Sequence, residues 1–127
     1  MGEKFLIDTN ILIYIFSNEL DERTRDRLIS ILNHSFNISV ITKIEFLGWR
    51  NHTEDGYKKA VSFLKKASII GLNTDIIDET VNLRRQYKIK MPDAVIAATA
   101  ISHKLKLVTR NINDFTMIKD LELFNPF

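Results

Sequence analysis

Five short apolar runs recur along the chain, separated by stretches long enough for helices: KFLI at 4–7, FNISV at 36–40, SIIGL at 68–72, KLVT at 106–109 and LELF at 121–124. KFLI is apolar at successive rather than alternate positions, the pattern of a strand covered on both faces in a parallel sheet. Between the runs, NILIYIFS, residues 21–32, ITKIEFLGW, residues 53–66, residues 74–87 and PDAVIAATAISHK read as helices. Thr9 or Asn10 and Thr74 are suited to cap their helices, and Pro92 suits a first helical turn. Strands alternating with helices of this length imply right-handed crossovers. The expected fold is a three-layer α/β domain with a central parallel sheet flanked by helices.

With 127 residues, 45% of them apolar, the chain has the material for one core, so a single domain is expected over 1–127. It has no cysteine, which excludes disulfides, cysteine-held zinc and a thiol nucleophile. No apolar run approaches the roughly 20 residues of a membrane span. The first residues lack the basic start, apolar core and cleavage site of a signal peptide, and the expected location is the cytoplasm, away from membranes.

The net charge of +2 is uninformative, but its distribution is uneven. From Arg84 to Arg110 seven bases stand against one acid, Asp93, whereas Glu3, Asp8, Glu19, Asp21 and Glu22 oppose only Lys4 in the first twenty-two residues. A solvated face accounts equally well for such a run.

Four acids occupy unexpected places. Asp8 ends the first strand, where open parallel sheets bind ligands, although a helix N-cap is the simpler account of it alone. Glu45 follows Ile41 by one turn and adjoins Ile44 and Phe46, so it points at or near an apolar stripe, unless it reaches water from the edge. Asp93 opens a helix apolar nearly all round, where complementing the helix dipole would suffice to explain it. Asp114 lies in the loop-like NIND after the strand KLVT.

Together they are more telling, because all could converge at one edge of the sheet. At about 6 Å and an effective dielectric near 20, each like-charged pair costs on the order of 3 kcal/mol. Such a group is tolerated when protons or cations neutralise it, and an oxygen-only donor set selects hard ions such as Mg²⁺ or Mn²⁺. A carboxylate-held divalent ion bordered by basic residues is suited to phosphodiester hydrolysis: it activates water, aligns the phosphate and stabilises the leaving oxygen. The Lys and Arg near Asp93 would hold flanking phosphates.

FLIDTNILI, ITKIEFLG, PDAVIAATA and LVTRNINDF, in that order and across nearly the whole chain, resemble the PIN domain family, and more narrowly the VapC-type toxins of bacterial and archaeal toxin–antitoxin pairs. The resemblance implies a parallel sheet flanked by helices, an Mg²⁺- or Mn²⁺-dependent endoribonuclease, a homodimer, and inhibition by a small cognate antitoxin whose C-terminal segment covers the active site. The family's acids match Asp8, Glu45 and Asp93. Its variable fourth acid falls at Asn111 in some members and at Asp114 in others, and here Asp114 is chosen, with Asn111 as a polar or water-mediated ligand. Thr9, Asn10 and Thr109 are candidates to position the acids or a metal-bound water. Leu12, Tyr14 and Phe16 are dimer contacts by the family's habit alone. Gly48 follows Glu45 by three residues where the family often has four.

Two rival readings accompany this one. A haloacid-dehalogenase-type phosphatase also opens with a strand ending in aspartate, but wants a second aspartate at the position of Asn10. A nucleic-acid-binding module of the same fold would bind RNA without cutting it. His34, His52 and His103 lack metal-ligand spacing and receive no role, being placed on surfaces or helix ends. Trp49, Phe5, Tyr14, Phe16 and Phe46 read as core or interface residues.

Overall fold

The computed structural model describes residues 4–127, and Glu3 of the acidic opening stretch lies outside them. Each apolar run forms a strand shorter than its sequence pattern: β1 Phe5–Ile7, β2 Asn37–Ser39, β3 Ser68–Ile70, β4 Lys106–Val108 and β5 Leu123–Phe124. They pair in the order β3-β2-β1-β4-β5, every neighbour parallel. Six helices complete the chain: α1 Thr9–Phe16, α2 Glu22–His34, α3 Val40–Leu47, α4 Glu54–Leu64, α5 Thr74–Gln86 and α6 Met91–Ser102.

Successive residues of a strand face opposite sides of the sheet, and the core divides accordingly. Leu6 and Leu107 pack with α5 and α6 in one cluster, while Ile7, Ile38 and Val108 pack with α1, α2, α4 and Phe46 of α3 in the other. This is the expected three-layer arrangement, with helices on both faces. β3 departs from the buried pattern: Ser68 and Ile69 are exposed at the edge of the sheet.

Several helix ends differ from the sequence expectation. Asp8, read as a cap on its own account, and not Thr9 or Asn10, is the N-cap of α1, and Asn73, rather than Thr74, caps α5 by accepting the Ile76 N–H at 2.9 Å. α6 stops at Ser102 because Lys104 turns into the left-handed region at φ 55°. The Leu105 N–H bonds the Ala100 carbonyl at 2.8 Å and the Lys104 N–H bonds that of Ile101 at 3.2 Å, which closes a Schellman motif with lysine in the usual glycine place. This turn delivers the chain directly into β4.

The order of strands positions the site. From β1 the chain moves outward through β2 to β3, then crosses back to place β4 on the other side of β1. The direction of winding thus reverses between β1 and β4, and a crevice opens at such a switch point beyond the carboxyl ends of the strands. Asp8 follows β1 there, and Thr109 and Arg110 follow β4. Among the described residues no helix is long and apolar enough to cross a membrane.

Candidate active site

β1 and β4 run in register, Ile7 beside Val108, and the Asp8 N–H bonds the Val108 carbonyl at 2.9 Å. The next residue of each strand therefore meets the other's: the Thr109 hydroxyl donates to Asp8 Oδ2 at 2.8 Å. Asn10 Nδ2 donates to the same oxygen at 2.9 Å and reaches Thr109 Oγ1 at 3.2 Å. Asp8 Oδ1 accepts the Thr9 N–H at 2.8 Å, so the cap and the site share one carboxylate. Asn10 Oδ1 in turn accepts the Arg110 N–H at 3.3 Å, and Thr109 Oγ1 accepts that of Asn111 at 3.0 Å.

A second chain of hydroxyls leads to Glu45. The Thr9 hydroxyl donates to Glu45 Oε1 at 2.7 Å and lies 3.1 Å from Thr42 Oγ1. A hydroxyl has one proton, so with Thr9 donating to Glu45 the Thr42 hydroxyl is the donor toward Thr9. Thr42 is fully buried and was not singled out in the sequence. Its position three residues before Glu45, on the same face of α3, is the signal that would have found it.

Asp8 is 5% exposed and accepts three hydrogen bonds, yet burial raises its pKa from 3.8 to about 6. The bonds from Thr109 and Thr9 oppose the rise, while the charges of Asp93 and Glu45 add to it. Asp93, half-buried in the first turn of α6, is raised by the same cause, and Asp114 and Glu45 push it further against the pull of Lys90. Four acids from four elements are thus linked: Asp8 feels Asp93 and Glu45, and Asp93 feels Glu45 and Asp114. Among the described residues none of the four forms an ion pair.

Two expectations need correction. Glu45 is exposed rather than set in the apolar stripe, because the core takes Thr42 and Phe46 from α3 and turns Glu45 toward Thr9. The acids are also less tightly gathered than expected: among the described residues no three Asp, Glu or His side chains converge closely enough to hold one ion between them. The donor chemistry nevertheless fits Mg²⁺ or Mn²⁺, since Mg²⁺ is commonly held by one or two carboxylates with water and substrate phosphate completing its shell. Of the four, Asp8 and Asp93, the two acids raised by burial and by like charges, could hold such an ion. Asp114 ends the 3₁₀ turn Ile112–Asp114 and is exposed. Asn111, also exposed, has its N–H tied to Thr109.

Elsewhere, Leu12 is fully buried and so not available as a dimer contact, while Phe16 is half-buried and packs edge-on to Phe46 and Phe63. His34 ends α2 and His103 caps the end of α6, as expected of helix-end histidines. His52 is instead half-buried among Phe16, Phe46, Trp49 and Tyr57, with Nε2 2.8 Å from the Phe46 carbonyl. A surface cavity of about 730 Å³ is lined by Phe16, Trp49, His52 and Phe63 among others and by none of the four acids. A second, of about 540 Å³, is lined by Arg110 and Asp114.

Comparison with known proteins accords with this geometry. The family described as the PIN domain matches residues 5–120. Among solved structures, the toxin–antitoxin complex from Klebsiella pneumoniae is 35% identical, with 97% of this chain and 98% of that one covered and a TM-score of 0.77. VapBC2 from Rickettsia felis, crystallised bound to a DNA fragment from its promoter, is 26% identical over 96% of this chain and 98% of that one, with a TM-score of 0.80. DNA-bound VapBC from Salmonella typhimurium, 23% identical over 99% of this chain and 100% of that one, shares the fold with a TM-score of 0.85. None of the curated proteins compared with the sequence matches it. With the family match running from β1 to beyond the 3₁₀ turn, the chain belongs to the PIN domain family and is a VapC-type PIN domain.

Proposed function

We propose that this PIN domain is an endoribonuclease that hydrolyses RNA phosphodiester bonds with the aid of Mg²⁺ or Mn²⁺. One observation carries the reading: beside the switch point of a parallel sheet, Asp8 feels the charges of Asp93 and Glu45, Asp93 feels those of Glu45 and Asp114, and none of the four forms an ion pair among the described residues. When bound, the ion supplies the charge that neutralises the acids, activates water and stabilises the oxygens of the phosphate. Asp8 and Asp93 hold it, and Glu45 and Asp114 complete the set directly or through water.

The remaining residues act on these acids. Thr109 and Asn10 aim Asp8 Oδ2, and the Thr9 N–H aims Oδ1, so the carboxylate cannot rotate as substrate enters. Thr9, backed by Thr42, fixes Glu45 at the end of a flexible exposed side chain. Asn111 is placed beside Thr109 to meet water or substrate. Asp93→Asn, nearly isosteric, should lose cleavage while keeping its fold. Unchanged turnover in that variant removes Asp93 from the mechanism.

Two partners belong to this reading. A small antitoxin is supported by the toxin–antitoxin and VapBC complexes among the similar structures. A second copy of the chain is supported by the family resemblance and by an exposed apolar groove of about 420 Å³ on α5 and α6, lined by Leu72, Ile77, Val81 and Met91 among others. The cytoplasm remains the expected location.

A further inference from the structure

Arg110 is the first residue beyond Thr109 at the switch point, and its backbone N–H is tied to Asn10, which in turn holds Asp8. Its guanidinium lies over two rings, 4.9 Å from the centre of Tyr14 and 4.5 Å from that of Phe127, which themselves stand 5.2 Å apart. A cation–π contact uses the charge of a guanidinium without engaging its N–H groups, which stay free to donate. Among the described residues the Arg110 side chain makes no ion pair and donates no hydrogen bond, although Asp114 lines the same cleft of about 540 Å³. An exposed cation is thus held rigid beside an acidic site without being spent on its carboxylates.

A polyanion approaching four carboxylates is repelled unless a cation receives it. Tyr14 lies four residues, or about 6 Å, along α1 from Asn10. A guanidinium resting on Tyr14 is therefore offset by about a helical turn from Asn10, whose amide holds Asp8, and it stands where it would meet a phosphate flanking the scissile one. We infer that Arg110, seated against the paired rings of Tyr14 and Phe127, is a substrate-binding residue that grips a phosphate of the RNA strand next to the cleavage point. The inference rests on the ribonuclease reading and extends it to a residue outside the acidic set. Phe127, on this account, matters through the cation it orients rather than through any base it touches.

The test measures binding of a short, labelled single-stranded RNA of mixed sequence to Asp8→Asn protein across a salt series, with and without Arg110→Ala. Loss of the phosphate contact should weaken binding about tenfold and reduce the slope of log affinity against log salt by about 0.7. Arg110→Lys should retain the slope while recovering only part of the affinity, and Phe127→Leu should do the same, since the charge stays while its aromatic seat is weakened. In the otherwise unaltered protein, Arg110→Ala should raise KM and leave kcat close to its original value. Equal affinity and equal slope with and without Arg110 overturn the inference. A lower melting temperature in Arg110→Ala with unchanged RNA binding also overturns it, because the stack would then be structural only. Absence of metal-dependent cleavage by the unaltered protein refutes the nuclease reading instead, and the salt slopes still decide whether Arg110 grips phosphate.

Discussion

At Asp8 the backbone and the site make opposite demands on one carboxylate. As a cap and hydrogen-bond acceptor it is favoured when charged, yet burial and two neighbouring acids raise its pKa to about 6. Its folded form holds a proton more tightly than its unfolded form, so its contribution to stability falls as pH rises from about 4 to about 6. The rise from 3.8 to about 6 corresponds to a cost on the order of 3 kcal/mol at neutral pH. In metal-free buffer, the stability of Asp8→Asn relative to the unaltered protein should therefore increase across this window, measured by denaturant titration at each pH. A difference that does not vary with pH contradicts the assignment. Thr109→Val removes a bond that lowers the Asp8 pKa, so the acid limb of the cleavage profile should move to higher pH, and an unmoved limb would dissociate the two residues. Asp8 and Asp93 were legible in the sequence because a charged residue ending a strand or opening an apolar helix is conspicuous. The partners that tune them were less so: Thr42 and the Arg110 stack depend on contacts between elements distant in sequence.

α6 shows what patterning does and does not reveal about an element. Apolar residues on every side announced burial, and Ala94 through Ala100 are indeed buried. Its end was read two residues late, because a Schellman turn formed by lysine lacks the glycine that usually marks it. A residue other than glycine at positive φ carries a strain of roughly 1 kcal/mol, so Lys104→Gly should raise stability by up to about that amount. Urea unfolding would check this, and a loss of stability would mean that the lysine side chain contributes more than its backbone costs. In α3 the error was rotational. Helical spacing puts Glu45 one turn from Ile41, but on a helix of only eight residues the packing of Thr42 and Phe46 sets which side faces the core. Asn73 and Thr74 are both good caps, and only the local geometry selects Asn73.

At the scale of the molecule, the alternation of strands and helices was enough to specify a parallel sheet with two helical layers. The strand order was not legible, since each strand is only two or three residues long and its neighbour is chosen by how the crossovers pack. That order is what creates the switch point between β1 and β4. The exposed row Leu72, Ile77, Val81 and Met91, between 49% and 58% exposed, was not legible, since its members come from the end of an apolar run and from two helices, and Met91 stands two residues from Asp93. If this face joins two copies, Val81→Glu should convert a dimer to a monomer in light scattering coupled to size-exclusion chromatography. A dimer that survives the substitution assigns the interface elsewhere.

The central claim is that the acids at the switch point support metal-dependent cleavage of RNA. Its most direct test incubates the purified protein with a mixed RNA pool in Mg²⁺, in Mn²⁺ and in EDTA, beside Asp8→Asn prepared identically. The account predicts cutting with either metal, none in EDTA, and none by the variant. RNA that stays intact in every condition, or that is cut equally in EDTA or by Asp8→Asn, would contradict it.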